Sequence, residues 1–192
     1  MLCVMAKLYE KLDDPLRTFI EAQHMFFVAT APAALDGHIN LSPKGLDSLA
    51  VLGPREVGYL DLVGSGAETI AHLRENGRIT LLFCAFDGPP KIVRLHGHGA
   101  YIEPQDERFA GMRARFALPT PARGIVHMTV ERIADSCGFG VPLYHFEGHR
   151  SQLLDSAARK GEAGLREYQQ KNNRASIDGL PALRWPESIG RS

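Results

Sequence analysis

At 192 residues, 44% hydrophobic and 23% charged, the chain has the make-up of one well-packed globular domain and is short for two. Lys and Arg number 22 and are balanced by 22 Asp and Glu with no basic cluster, which argues against a nucleic-acid or membrane surface as partner. Three cysteines (Cys3, Cys84, Cys137) form no C-x-x-C pair and no stretch approaches the roughly 20 apolar residues of a bilayer span, so a reduced, cytoplasmic protein is expected.

Residues 1–12 lack the uninterrupted apolar run of a signal peptide. Asp14-Pro15 starts a helix, with Asp at the cap and Pro in the first turn, and Leu16, Phe19 and Ile20 carry helical spacing toward Gln23. Residues 25–31 read as a short strand. After the Asp36-Gly37 turn signal, residues 38–44 alternate: Ile39, Leu41 and Pro43 share one face, and His38, Asn40, Ser42 and Lys44 the other. Burial of the apolar face in the core would turn the polar face outward, toward solvent, a ligand or a partner. Residues 57–62 form a third strand. A glycine-rich turn, Gly64-Ser65-Gly66, then leads into a helix over 66–75 that packs through Ile70, Ala71 and Leu73 and stops at Asn76-Gly77.

Residues 78–86 are nearly all apolar, as in a central strand buried on both faces. After Gly88-Pro89-Pro90 the chain returns as a long strand over 91–103, a helical stretch spans 108–116, and 123–134 alternates again. A polar helical tail runs from Ser151 to about Asn173, with interruptions near Gly161 and Gly164. The pattern predicts a mainly β fold of about six antiparallel strands in a closed or split barrel with flanking helices, rather than a parallel doubly wound sheet. Residues 1–150 are assigned to the barrel domain with its N-terminal helix, and 151–192 to a helical C-terminal extension packing on the barrel or on a partner chain.

Two segments suggest an anion site. The helix start after Gly64-Ser65-Gly66 offers free amides, and the glycines permit close approach. Ser65-x-x-Glu68 reads equally well as a capping box, and Glu68 would repel a phosphate placed on the helix end. Ser42-Pro43-Lys44-Gly45 offers a hydroxyl and a cation, or is simply an edge strand with a solvated lysine. His96 and His98 share a strand face beside Arg94, but a third ligand is missing and no metal site is expected. On the plainer reading this is a half-exposed face on which Gly97 and Gly99 leave room for a neighbouring element. No nucleophile elbow and no dinucleotide fingerprint occurs. His72 is expected on the surface of its helix, and the catalytic residues stay unassigned.

The ordered set H-I-N-L-S-P-K-G, Y-L-D-L-V-G-S-G-A-E-T-I-A-H-L-R-E-N-G-R-I-T-L-L-F-C-A-F and P-K-I-V-R-L-H-G-H-G resembles the pyridoxamine 5′-phosphate oxidase-like, FMN-binding split-barrel family across roughly residues 26–103. S-C-G-F-G-V-P-L-Y and S-I-D-G-L-P-A-L look like features of a candidate-oxidase subgroup rather than of the true vitamin B6 enzyme. The resemblance implies a six-stranded antiparallel split barrel, dimeric, with FMN in clefts at the subunit interface. It places Asn40, Ser42, Pro43 and Lys44 on the strand that contacts the flavin and its phosphate. Leu60 and Asp61 fall at the strand end that meets the ring, Ser65, Gly66 and Thr69 in the phosphate turn, and Arg94 on a strand whose neighbours reach the flavin.

Two departures stand out. Gly66-Ala67 occupies the positions of an Arg-Lys pair in the true oxidases, and their C-terminal Arg-x-His element is missing. Lys44 and Arg94 would then have to neutralise the phosphate, with Arg78 or a partner residue as further candidates. The resulting expectation is a homodimeric, FMN-dependent oxidoreductase acting on a small molecule. The alternatives are a non-catalytic module holding flavin, F420 or haem, and a dimeric interaction scaffold.

Overall fold

The structure, a computed structural model, describes residues 7–185; Cys3, the start of the chain and the last residues of the expected C-terminal extension lie outside the described residues. In chain order the elements are β1 (Leu8–Tyr9), α1 (Asp14–Glu21), β2 (Phe26–Thr30), β3 (Asn40–Lys44), β4 (Leu49–Gly53), β5 (Glu56–Leu62) and α2 (Glu68–Glu75). Then follow β6 (Arg78–Cys84), β7 (Ile92–Ile102), α3 (Phe109–Arg113), β8 (Ala122–Ser136) and α4 (Gln152–Asn172). All pairings are antiparallel, in the order β3-β2-β6-β7-β8-β5-β4, with β1 added to β8. The sheet curls into the expected split barrel, with helices around it.

Its core is built from the inward faces of the strands. Val28, Leu81, Phe83, Val93, Leu95 and Met128 are fully buried, each worth about 1.5–3 kcal/mol relative to exposure. Phe26 stacks on Phe83 and meets Tyr59 edge-on, and α1 inserts Leu16 and Ile20 into the same cluster. The helix is capped by Asp13, whose Oδ1 accepts from the Leu16 amide at 3.0 Å; Asp14 is already helical. Gly97 and Gly99 do leave room: a Cβ at Gly97 would strike the Thr129 carbonyl of β8, and one at Gly99 would lie 2.8 Å from Leu73 of α2. Among the described residues no helix is long and apolar enough to cross a membrane.

Eight strands form where six were expected. β4 is a short apolar run between Asp47-Ser48 and Gly53-Pro54, too brief to show a period, and β1 is a two-residue addition to β8. A second difference concerns β3. Thr30, Val28 and Phe26 pair with Asn40, Ser42 and Lys44, and directly opposed residues share a face. The polar side chains of β3 therefore lie on the inner side of the sheet, and Ile39 and Leu41 are the exposed ones, at 78% and 67%. The inversion is possible because β3 ends the strand path and overhangs the core; that edge position also tolerates Pro43. In α4 the break falls at Gly161 (φ 61°), and Gly164 continues the helix.

Candidate functional site

Where β3 overhangs the core, a cleft of about 350 Å³ opens between β3, the end of β5 and the start of α2. The β3 residues Asn40, Ser42, Pro43 and Lys44 form one wall, and Leu60 and Leu62 of β5 supply apolar surface. Gly66, Glu68 and Thr69 close the helix end, with Ser48, Arg123 and Leu153 completing the lining. Seven of the residues singled out from the sequence thus meet in one place.

The other three do not line it. Asp61 lies beneath the cleft, 3.8 Å from the Lys44 ammonium. Ser65 turns its carbonyl to the Asn173 amide at the end of α4, 3.0 Å away. Arg94 is carried elsewhere, because the β7 register sets it between Leu82 and Ala134, and its guanidinium donates to Ser136 Oγ at 3.0 Å. The cation that takes its place at the cleft is Arg123, at the start of β8. Its only sequence signal is a charged residue after Pro121-Ala122, at the edge of an apolar alternating run.

Arg123 grips Asp61 through two nitrogens, Nε to Oδ2 at 2.7 Å and Nη2 to Oδ1 at 3.3 Å, and the Tyr101 hydroxyl donates to Oδ2 at 3.0 Å. Gly124 makes this seat possible, since any Cβ there would collide with the Tyr101 ring. Burial works against ionisation of Asp61, but the Arg123 guanidinium and Lys44 outweigh it and hold the carboxyl below its usual range. Burial, followed by the Asp61 charge, raises the phenols of Tyr59 and Tyr101 well above the ordinary tyrosine value. The floor of the cleft is thus an ion pair flanked by neutral phenols.

A hydrogen-bonded ladder organises the β3 wall. Ser42 Oγ donates to Asn40 Oδ1 at 2.7 Å, and Asn40 Nδ2 donates to Thr30 Oγ1 and Thr69 Oγ1 at 3.2 and 3.1 Å. Thr30 Oγ1 lies 2.9 Å from His72 Nδ1. His72 is fully buried, contrary to its expected place on the helix surface, because α2 lays that side against β2. Burial lowers its pKa, so it is neutral near pH 7. The ladder fixes Asn40 and, through it, the Ser42 hydroxyl at the cleft.

The helix end differs from the capping box read from the sequence. The N-cap is Ala67, with no side-chain cap. Glu68 folds back so that Oε2 accepts from the Ala67 amide at 3.0 Å, while Oε1 accepts from the Ile177 amide at 3.3 Å. The chain thereby places its own anion where a helix N-terminus favours one.

The fold is that of an antiparallel split-barrel protein, with a cleft of about 350 Å³ beside an edge strand. The family model described as pyridoxamine 5′-phosphate oxidase matches residues 12–137. The pyridoxamine 5′-phosphate oxidase family protein ustO of Aspergillus flavus is 42% identical over 194 aligned positions, covering 91% of this chain and 77% of that protein. Among solved structures, a candidate pyridoxamine 5′-phosphate oxidase from Lactobacillus delbrueckii superposes with a TM-score of 0.51 at 21% identity, over 69% of this chain and 98% of that one. A single-residue variant of HupZ from Group A Streptococcus gives 0.50 at 20% identity, over 65% and 98%. The chain belongs to the pyridoxamine 5′-phosphate oxidase family.

Proposed function

We propose that this protein binds FMN in the cleft and acts as an FMN-dependent oxidoreductase on a small molecule, as a cytoplasmic homodimer. The observation that carries this reading is the β3 wall, where Lys44, Ser42 and Asn40 face the helix end beside apolar Leu60 and Leu62. That donor set fits a ligand with a phosphate, hydroxyls and a flat aromatic body. Lys44 would meet the phosphate, Ser42, Ser48 and Thr69 the hydroxyls, and the β5 leucines the ring. Bound flavin would supply hydride acceptance and electron transfer to an acceptor.

The charge balance supports the homodimer. In and directly beneath the cleft, Lys44 and Arg123 are offset by Asp61 and Glu68. A phosphate of about −1.5 to −2 therefore finds no surplus cation within one chain. A second copy seated on the exposed apolar side of β3 would cover Ile39 and Leu41 and bring further donors to the cleft.

A second reading rests on a different observation. Of the titratable residues lining the cleft, Arg123 is committed to Asp61 and Glu68 to two backbone amides, which leaves Lys44 as a cation and no carboxylate or imidazole as acid or base. A carrier that holds its cofactor without turnover needs no free acid or base, and this cleft suits that role equally. The visible spectrum of the purified protein discriminates. Flavin bands that bleach with an anaerobic reductant and return when oxygen or another acceptor takes the electrons, with substrate turned over in the cycle, support the oxidoreductase; bands without turnover support the carrier. A Soret band would replace flavin by haem, and a colourless protein that takes up neither FMN nor F420 would leave the interaction scaffold. Lys44→Ala is expected to weaken FMN binding about tenfold or more while circular dichroism shows the same fold, because it removes a charged donor from the cleft and Asp61 keeps Arg123 as its partner. Equal affinity of variant and parent would place the phosphate elsewhere.

A further inference from the structure

After β8 the chain crosses the surface over residues 138–150, nearly all exposed, before entering α4. Among the described residues, its backbone anchors include the Tyr144 amide on the Phe86 carbonyl at 2.8 Å and the Val141 amide on the Gly138 carbonyl at 2.9 Å. At the end of this segment three ligating side chains converge. Phe146 stacks on the His24 ring with centroids 3.7 Å apart and planes 12° from parallel, and His149 stands edge-on to both rings. His149 Nε2 lies 3.2 Å from Asp47 Oδ1. One ligating atom from each of His24, Asp47 and His149 falls within 4.8 Å of the others.

We infer that His24, Asp47 and His149 form a site for a late first-row divalent cation, of which Zn²⁺ is the type. Metal–ligand bonds of about 2.0–2.2 Å put tetrahedral ligands about 3.3 Å apart, the spacing His149 and Asp47 already have. His24 offers a ring nitrogen within 4.8 Å of the other two ligating atoms, from a ring stacked on Phe146. Two borderline imidazoles beside one hard carboxylate favour zinc-like ions over calcium or magnesium, and the fourth position stays open to water.

Asp47 is presented by a tight turn between β3 and β4, in which Leu46 and Asp47 both occupy the left-handed region, at φ 60° and 51°. The ion would tie the surface segment to the β3–β4 turn. Leu46 on one side of that seam, and Leu153 just beyond His149, both line the cleft, so the clamp would fix its outer wall.

The site is tested on tag-free, flavin-free protein stripped with a chelator, so its failure is separate from failure of the flavin reading. Calorimetric titration with zinc chloride is expected to show one ion per chain, and Co²⁺ in its place a visible d–d absorption. His24→Ala and His149→Ala should each lower affinity by at least about 100-fold, since even outer-sphere partners cost about 10- to 100-fold. His98→Ala, which removes the separate exposed pair with Glu131, should change nothing. Zinc should also slow proteolytic cleavage within 138–150 in the parent and in His98→Ala, but not in His149→Ala. All three ligands are exposed, so circular dichroism should show folded variants. Absence of stoichiometric uptake, or uptake that survives either histidine substitution, would overturn the site.

Discussion

Asp61 and Arg123 are only 2% and 6% exposed, so neither can lose its partner cheaply. Asp61→Asn leaves a buried guanidinium without its anion and should cost about 3–5 kcal/mol, read by chemical denaturation. An Asp61→Leu, Arg123→Met double variant should recover much of that loss; equal damage in the two would show that the charge is not what matters. Two parts of the pH dependence have the same sign. Asp61 has a depressed folded pKa, so its contribution is present above the unfolded value of about 3.9 and is lost as pH falls through the folded one. His72 also has a depressed folded pKa, and the unfolded chain takes up its proton first, near pH 6.5. The stability that His72 contributes is therefore lost as pH drops below about 6.5, whereas His38, whose pKa Asp178 raises, contributes with the opposite sign. His72→Asn, which can keep a partner for Thr30, should flatten that part of the melting-temperature profile, and an unchanged slope would remove His72 as its source.

Among the elements, β3 shows best how a segment can be located and yet misoriented. Its alternation is plain in the sequence, and so is its candidacy as a ligand strand. Which face turns inward is not, because that depends on the register with β2 and on the strand's place at the end of the sheet. Hydrophobic pattern alone assigns Ile39 and Leu41 to the core; the structure leaves them exposed. Ile39→Asp with Leu41→Asp should leave the melting temperature within about 1 kcal/mol equivalent of the parent. The same change should shift the protein to a monomer by light scattering with size exclusion. A parent that is already monomeric, or a variant that remains a dimer, would put the interface elsewhere. The strands with long alternating or apolar runs were legible for the opposite reason: β6, β7 and β8 lie in mid-sheet, where burial of one or both faces follows from pattern alone. Arg123, the Thr30–His72 contact and the His24–Asp47–His149 group were not legible, since they depend on contacts such as Thr30–His72, Asp61–Arg123 and Asp47–His149, which join residues 42, 62 and 102 positions apart.

For the molecule as a whole, the split barrel and its helices follow from local patterns, whereas the cleft belongs to the way distant pieces close over β3. The last of those pieces is the chain beyond α4. Ala182 and Leu183 pack on Ala67, Ile70 and Ala71, Asn173 holds the carbonyls of Gly64 and Ser65, and Ile177 hangs from Glu68. Glu68 thus serves two masters. If the proposed phosphate enters the helix end, it would compete with this carboxylate, and displacing the carboxylate would free the Ile177 amide. Occupancy of the cleft and seating of the strap of residues 173–183 would then be reciprocally linked, each weakening the other by the same factor. Glu68→Gln should tighten binding of a phosphorylated ligand about fivefold by removing a like charge worth about 1 kcal/mol at a helix terminus. In the parent, ligand should hasten cleavage around 176–183. If ligand instead protects that stretch, the strap is a lid and not a rival. On the proposed reading, the glutamate at the turn would act as a tethered competitor, and its release would be reported by the segment around residue 177.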